Sequence, residues 1–164
     1  MKKKSTVLSV ICNILSIACF AAVIAALLPA VIPNLMGMQA YNVISGSMEP
    51  EIPVGSLVLV KKCDAEELQT GDVIAFYSNG TVVTHRLVGI DSEKKELTTK
   101  GDANNSVDFR PVPYTDVIGR VEKHIPVLGA VEQFLTGGGK KYLIMVLAAG
   151  VIFSLLAGQL KSEV

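Results

Sequence analysis

Ser47 stands in YNVISGSMEP, residues 41–50, between a glycine and a methionine. His85 follows in TVVTHRLVGI, and two acids, Asp102 and Asp108, lie in TKGDANNSVDFRPVPYTD. A serine hydroxyl is a weak nucleophile until a base removes its proton, and a neutral imidazole is suited to that work. A carboxylate beside the imidazole fixes its tautomer and stabilises the cation formed during attack. Ser47, His85 and Asp108 supply this set in the order Ser…His…Asp. Each also has an ordinary reading. Ser-Gly-Ser is common turn chemistry, and Asp is common in turns because its side chain bonds nearby backbone. A histidine on an apolar row can be a core residue satisfied by one hydrogen bond. Spacing alone leaves both readings open.

The elements that must position these residues read as strands. SLVLVKK (56–62), DVIAFY (72–77), TVVTHRLVGI (81–90), KELTTK (95–100) and DVIGRV (116–121) are short and rich in β-formers. Asn79-Gly80 between two of them signals a type I′ hairpin, because both central residues of that turn need positive φ. On the hairpin's second strand Val83, His85 and Leu87 share one face and Thr84 and Arg86 the other. Gly, Pro and Asn punctuate the strands. The expectation is a mainly β protein with a small antiparallel domain.

Ser47 also ends a long uncharged stretch, since residues 5–48 carry no charged side chain. Within it, residues 7–28 are apolar enough for a helix of about 33 Å, against a bilayer core of about 30 Å. A cleavable leader is the alternative, but its apolar region typically runs only about 7–15 residues. Residues 142–160, YLIMVLAAGVIFSLLAGQL, are a second candidate span, with a buried soluble helix as the alternative. Lys2, Lys3 and Lys4 place the N-terminus in the cytoplasm and the middle of the chain outside. Lys140 and Lys141 oppose this, because they would then be external. Pro29, Pro33 and Gly37 are expected to end the first helix and leave PAVIPNLMGMQA (29–40) skimming the interface.

Composition excludes several classes. Residues 41–139 hold 9 Lys and Arg against 14 Asp and Glu, so the middle is acidic. With no Trp and no basic stripe, nucleic acid is not expected as a partner. Cys12, Cys19 and Cys63 form no CxxC and no disulfide framework. His85 and His124 lie far apart in sequence, so neither a metal nor another cofactor is expected.

SGSMEP, GDVIAFY, VTHRLVGI, TKGDANNSVD and VIGRV, in this order behind an N-terminal anchor, resemble type I signal peptidases. The similarity runs over about 43–121 and is narrower with the Ser-His branch of endoplasmic reticulum, archaea and some Gram-positive bacteria, the SipW-like enzymes. In the ordinary bacterial branch a lysine stands where this chain has His85. The resemblance implies Ser47 as nucleophile, His85 as general base and Asp108 as the acid that orients it. It implies Asp102 as a supporting acid and Ser45 as an oxyanion-hole hydroxyl beside the Ser47 N–H. Val43 and Met48 become walls of the substrate pockets. The family often carries a further acid beside Asp108, where this chain has Phe109.

The implied activity is a membrane serine endopeptidase (signal peptidase I). It would cut signal peptides from secretory preproteins at Ala-x-Ala-like sites on the outer lipid surface. The corresponding division is a basic N-terminus (1–6), a transmembrane helix (7–28), an interfacial linker (29–40) and an extracytoplasmic β catalytic domain (41–136). A glycine joint (137–141), a second transmembrane helix (142–160) and a tail (161–164) follow. The short domain and the lack of an endoplasmic-reticulum retrieval signal point to a cell (plasma) membrane and a multi-pass protein. Two other readings share the fold: a repressor-type self-cleaving protease domain and a non-catalytic membrane adaptor. The first uses a lysine base in a soluble protein; the second has no need of an intact Ser47, His85 and Asp108.

Overall fold

The computed structural model describes residues 2–162. They fall into two compact units, residues 30–132 and a second unit of residues 1–29 with 133–164.

In the first unit the described residues form one antiparallel seven-stranded sheet. Its strands are β1 (Met38–Asn42), β2 (Leu57–Lys61), β3 (Val73–Ser78), β4 (Thr81–Asp91), β5 (Glu96–Lys100), β6 (Val112–Pro113) and β7 (Val117–Ile125). The spatial order is β1-β2-β7-β3-β4-β5-β6. Alternation along β3 divides the core between the two faces of the sheet. Ile74 and Phe76 join Leu87, Leu97 and Val112 on one face, while Ala75 joins Met48, Ile52, Val58 and Val60 on the other. Four consecutive residues of β2, Leu57 to Val60, are buried for this reason. Burying one such side chain fully stabilises the fold by about 1.5–3 kcal/mol.

The Asn79-Gly80 turn has the expected positive φ at both residues, 49° and 77°. The hairpin sets the register of β3 on β4, with Ile74 opposite His85 and Ser78 opposite Thr81. Beyond His85 the strand gains a second neighbour, because β5 pairs with β4 only from Arg86 onward. The outer edge of Thr81–His85 therefore has no strand partner among the described residues.

In the second unit the N-terminal part of helix α1 (Lys2–Leu35) packs against α3 (Lys140–Ser162). The contacts run antiparallel. Ser9 Oγ donates to the Ala157 carbonyl at 3.0 Å, and a Cβ added at Gly150 would lie 3.1 Å from Cys19 Cβ. Ser9, Cys12, Ser16 and Val23 are buried along one stripe of α1, at helical spacing. Small residues there let the backbones approach, as in membrane helix pairs. Residues Thr6–Pro29 and Gly137–Lys161 are each long and apolar enough to cross a membrane.

Three expected boundaries move. Helix α1 spans Lys2–Leu35, running through Pro29 and Pro33 rather than stopping there. A proline fixes a φ close to the helical value; what it removes is one backbone donor. The helix stops at Gly37, whose φ of 68° suits a C-terminal glycine, with its N–H donating to Asn34 O. The expected linker 29–40 is thus the last turns of α1 followed by β1. The glycine joint is helical on both sides of a kink at Gly137, and Lys140 and Lys141 already belong to α3. The short helix α2 (Leu128–Phe134) was not anticipated.

Candidate active site

β4 presents two adjacent residues to opposite faces, and each takes one of the two acids. His85 is 8% exposed, with the Phe76 ring edge-on at 6.4 Å between centroids. Its Nδ1 lies 2.6 Å from Asp108 Oδ2. The same oxygen accepts a hydrogen bond from Thr99 Oγ, also at 2.6 Å. An ionised carboxylate only accepts, so this contact requires the proton on Nδ1 and directs the other ring nitrogen, Nε2, away from Asp108. Arg86 takes Asp102 in a two-point pair, Nε to Oδ1 at 2.8 Å and Nη2 to Oδ2 at 2.6 Å, and its Nη1 donates to Gly71 O at 2.9 Å. The guanidinium hydrogen bonds hold the Asp102 carboxyl below its ordinary value.

Ser47 lies in a turn between β1 and β2, tied to the acid-bearing loop through its backbone. Its carbonyl accepts from the Ala103 N–H at 2.9 Å, and the Asn104 N–H closes a turn onto Gly101 O at 2.9 Å. Gly101 is packed against this contact, since a Cβ there would lie 2.6 Å from Ser47 O. So Asp102 sits in the turn that grips the nucleophile candidate, while Asp108, six residues on, grips the base candidate.

Two clefts meet at His85. One, of about 460 Å³, is lined by Tyr41, Val43, Ser45, Ser47, Met48, Val82 and His85. The other, of about 670 Å³, is lined by Tyr77, His85, Asp108, Phe109, Arg110 and Asp116. Ser47 thus faces the first, Asp108 the second and His85 both. Among the described residues no hydrogen bond joins Ser47 to His85. Ser45 Oγ lies 3.4 Å from Ser47 Oγ. Met48 is 2% exposed, so it is a core residue underlying the cleft, and Val43 is half-buried beside it. Phe109 is 98% exposed.

The family described as "Signal peptidase, peptidase S26" matches over residues 16–97. The chain belongs to this family. The matched stretch holds Ser45, Ser47 and His85, while Asp102 and Asp108 lie beyond it. Signal peptidase I W of Bacillus subtilis is 49% identical over 84 residues, covering 49% of this chain and 44% of the relative. The signal peptidase complex catalytic subunit SEC11 of Scheffersomyces stipitis is 34% identical over 107 residues, 57% of this chain and 63% of the relative. The human subunit SEC11C is 30% identical over 125 residues, 67% of this chain and 65% of the relative. The matches therefore span less than two thirds of each relative's length. They support the type I, SipW-like branch within the family.

Sequence reasoning paired His85 with Asp108 and missed Thr99 and the Arg86–Asp102 pair. A signal for Thr99 was present. In KELTTK it shares an inward face with Leu97, and a threonine on a buried face must satisfy its hydroxyl.

Proposed function

We propose that this protein is a membrane-bound serine endopeptidase that removes signal peptides from secreted preproteins at the outer membrane–water interface. The observation that carries this reading is His85, bonded through Nδ1 to Asp108 and lining the same cleft as Ser47. In the reaction His85 Nε2 takes the Ser47 proton as Oγ attacks the scissile carbonyl. The oxyanion that forms is met by the Ser47 N–H and the Ser45 hydroxyl. Collapse breaks the C–N bond, and the imidazolium returns its proton to the departing amine. This leaves the signal peptide as an ester on Ser47. Water, deprotonated by His85, then hydrolyses the ester. Asp108 stays ionised throughout and stabilises the imidazolium.

The substrate lies as an extended strand along the unpaired edge of Thr81–His85, with its small Ala-x-Ala-like side chains over Val43 and Met48. An antiparallel α1–α3 pair returns the chain to the side from which it started. With Lys2, Lys3 and Lys4 cytoplasmic, both termini lie in the cytoplasm and residues 30–132 outside, at a cell (plasma) membrane. Lys2, Lys3, Lys4 and Lys161 on the cytoplasmic side outnumber Lys140 and Lys141 on the other.

The test is cleavage of a secretory precursor by the full chain in detergent. The wild type releases the mature protein, and Ser47→Ala does not, while melting at an unchanged temperature. Turnover by Ser47→Ala close to wild type would remove the nucleophile assignment.

A further inference from the structure

We infer that Thr99 is a positioning residue, the buried donor that holds Asp108 in register with His85; this rests on the catalytic reading above. Asp108 borders a cleft of about 670 Å³, and its side chain is 23% exposed. Water can therefore compete for a carboxylate that must stay directed at an imidazole. Two contacts oppose that competition, and both come from residue 99. Thr99 Oγ donates to Asp108 Oδ2 at 2.6 Å, and the Asp108 N–H donates to Thr99 O at 2.8 Å. Thr99 itself is fully buried. On β5 it pairs with Leu87 on β4, two residues along from His85. The acid and the base are thus both referred to one strand pair.

The hydroxyl also selects the acceptor geometry. It and His85 Nδ1 converge on the same oxygen, Oδ2. A donor fixed on this oxygen holds it directed at the Nδ1 proton. Without it the carboxylate can rotate toward water, and His85 loses the partner that sets its tautomer.

Thr99→Ser and Thr99→Ala decide the matter, because both lose the methyl and only alanine loses the hydroxyl. Thr99→Val loses the hydroxyl and keeps the shape. The full chain in detergent is assayed on a precursor peptide, and the imidazole N–H resonances are recorded by proton NMR in a His124→Gln background. Relative to the serine variant, alanine lowers kcat about 10- to 100-fold, the span of one hydrogen bond to a charged group. KM changes by less than about threefold, since Thr99 touches no substrate. The downfield Nδ1–H resonance of His85 persists in Thr99→Ser and is displaced or lost in Thr99→Ala and Thr99→Val. Equal kcat and an equal resonance in the serine and alanine variants would overturn the inference. If instead Ser47→Ala and Asp108→Asn cleave normally, it is the catalytic reading that fails, and the resonance still reports whether Thr99 holds the pair.

Discussion

The carbonyl oxygen of Ser47 accepts a hydrogen bond from the Ala103 N–H at 2.9 Å, which fastens the nucleophile candidate to the turn that carries Asp102. Asp102 is locked in turn by Arg86, the neighbour of His85 on β4. One strand therefore holds both halves of the candidate site, the proposed base directly in His85 and the proposed nucleophile's turn through Arg86 and Asp102.

Gly101 makes this fastening possible. A Cβ there would lie 2.6 Å from Ser47 O and 2.7 Å from Asn104 Nδ2, and the first of these is backbone that cannot swing aside. Gly101→Ala pushes the turn and Ser47 apart. We expect a loss of kcat of at least about tenfold, since ångström-scale misplacement of a reacting group is costly. Precursor cleavage by a folded Gly101→Ala protein at the wild-type rate would show that Ser47 tolerates the shift.

Asp102 should matter to stability more than to turnover. Its carboxyl is held below the ordinary value of 3.8, first by the hydrogen bonds from Arg86. A depressed pKa in the folded state means the contribution is fully present above the unfolded value and is lost as pH falls through the folded one. The wild type therefore loses this contribution progressively below about pH 4. Asp102→Asn should cost about 1–2 kcal/mol at neutral pH, the modest end for such a pair because the Arg86 side chain is 32% exposed. Its stability should also fall less steeply in acid. Thermal melts of both proteins from pH 7 to pH 3 test this, and parallel curves would contradict it.

Asp108→Asn and His85→Lys probe the other acid and the base. Asparagine can present its amide NH₂ to Nδ1 and favour the wrong tautomer, so kcat should fall by orders of magnitude in a folded protein. The loss should exceed that of Asp102→Asn by at least about tenfold, and the reverse order would exchange the roles of the two acids. His85→Lys should not restore activity, although lysine is the base in the sister branch. The site packs a flat ring against Phe76, and a neutral lysine must be strongly desolvated to serve. Sustained cleavage by His85→Lys would mean one pocket suits both bases.

The strands around the site were legible because each is a short β-rich run ended by turn residues, and Asn79-Gly80 fixed the hairpin that carries His85. The alternation Val83, His85, Leu87 placed the imidazole inward, and its exposure of 8% agrees. Other features were hidden for physical reasons. β1, MQAYN, lacks an apolar alternation because it is an edge strand with mostly half-exposed side chains. β6 is two residues long, one of them proline. Helix α1 passes through two prolines, which local rules read as a stop. The meeting of His85 with Asp108 spans 23 residues and depends on β5 lying between them, which no spacing rule contains.

The two long apolar helices offer the last test. Gly150 lies where α3 crosses Cys19 and Phe20 of α1, and an added Cβ would stand 3.1 Å from Cys19 Cβ and 3.4 Å from the Phe20 ring. Without a hydrophobic force between helices in lipid, such close packing supplies much of their association. Gly150→Leu should separate the pair, and Gly150→Ala should disturb it less, since a lone methyl asks these contacts to give by only a few tenths of an ångström. Cysteine cross-linking reports the separation directly: cysteines placed at Ser9 and Ala157, where α1 and α3 touch at 3.0 Å, should form a disulfide in membranes and fail to form it with Gly150→Leu. Reporter fusions at the two ends of the chain should both read as cytoplasmic in the wild type. An external C-terminus would mean that α3 does not return across the bilayer, and equal cross-linking in the leucine variant would mean that Gly150 is not where the helices meet.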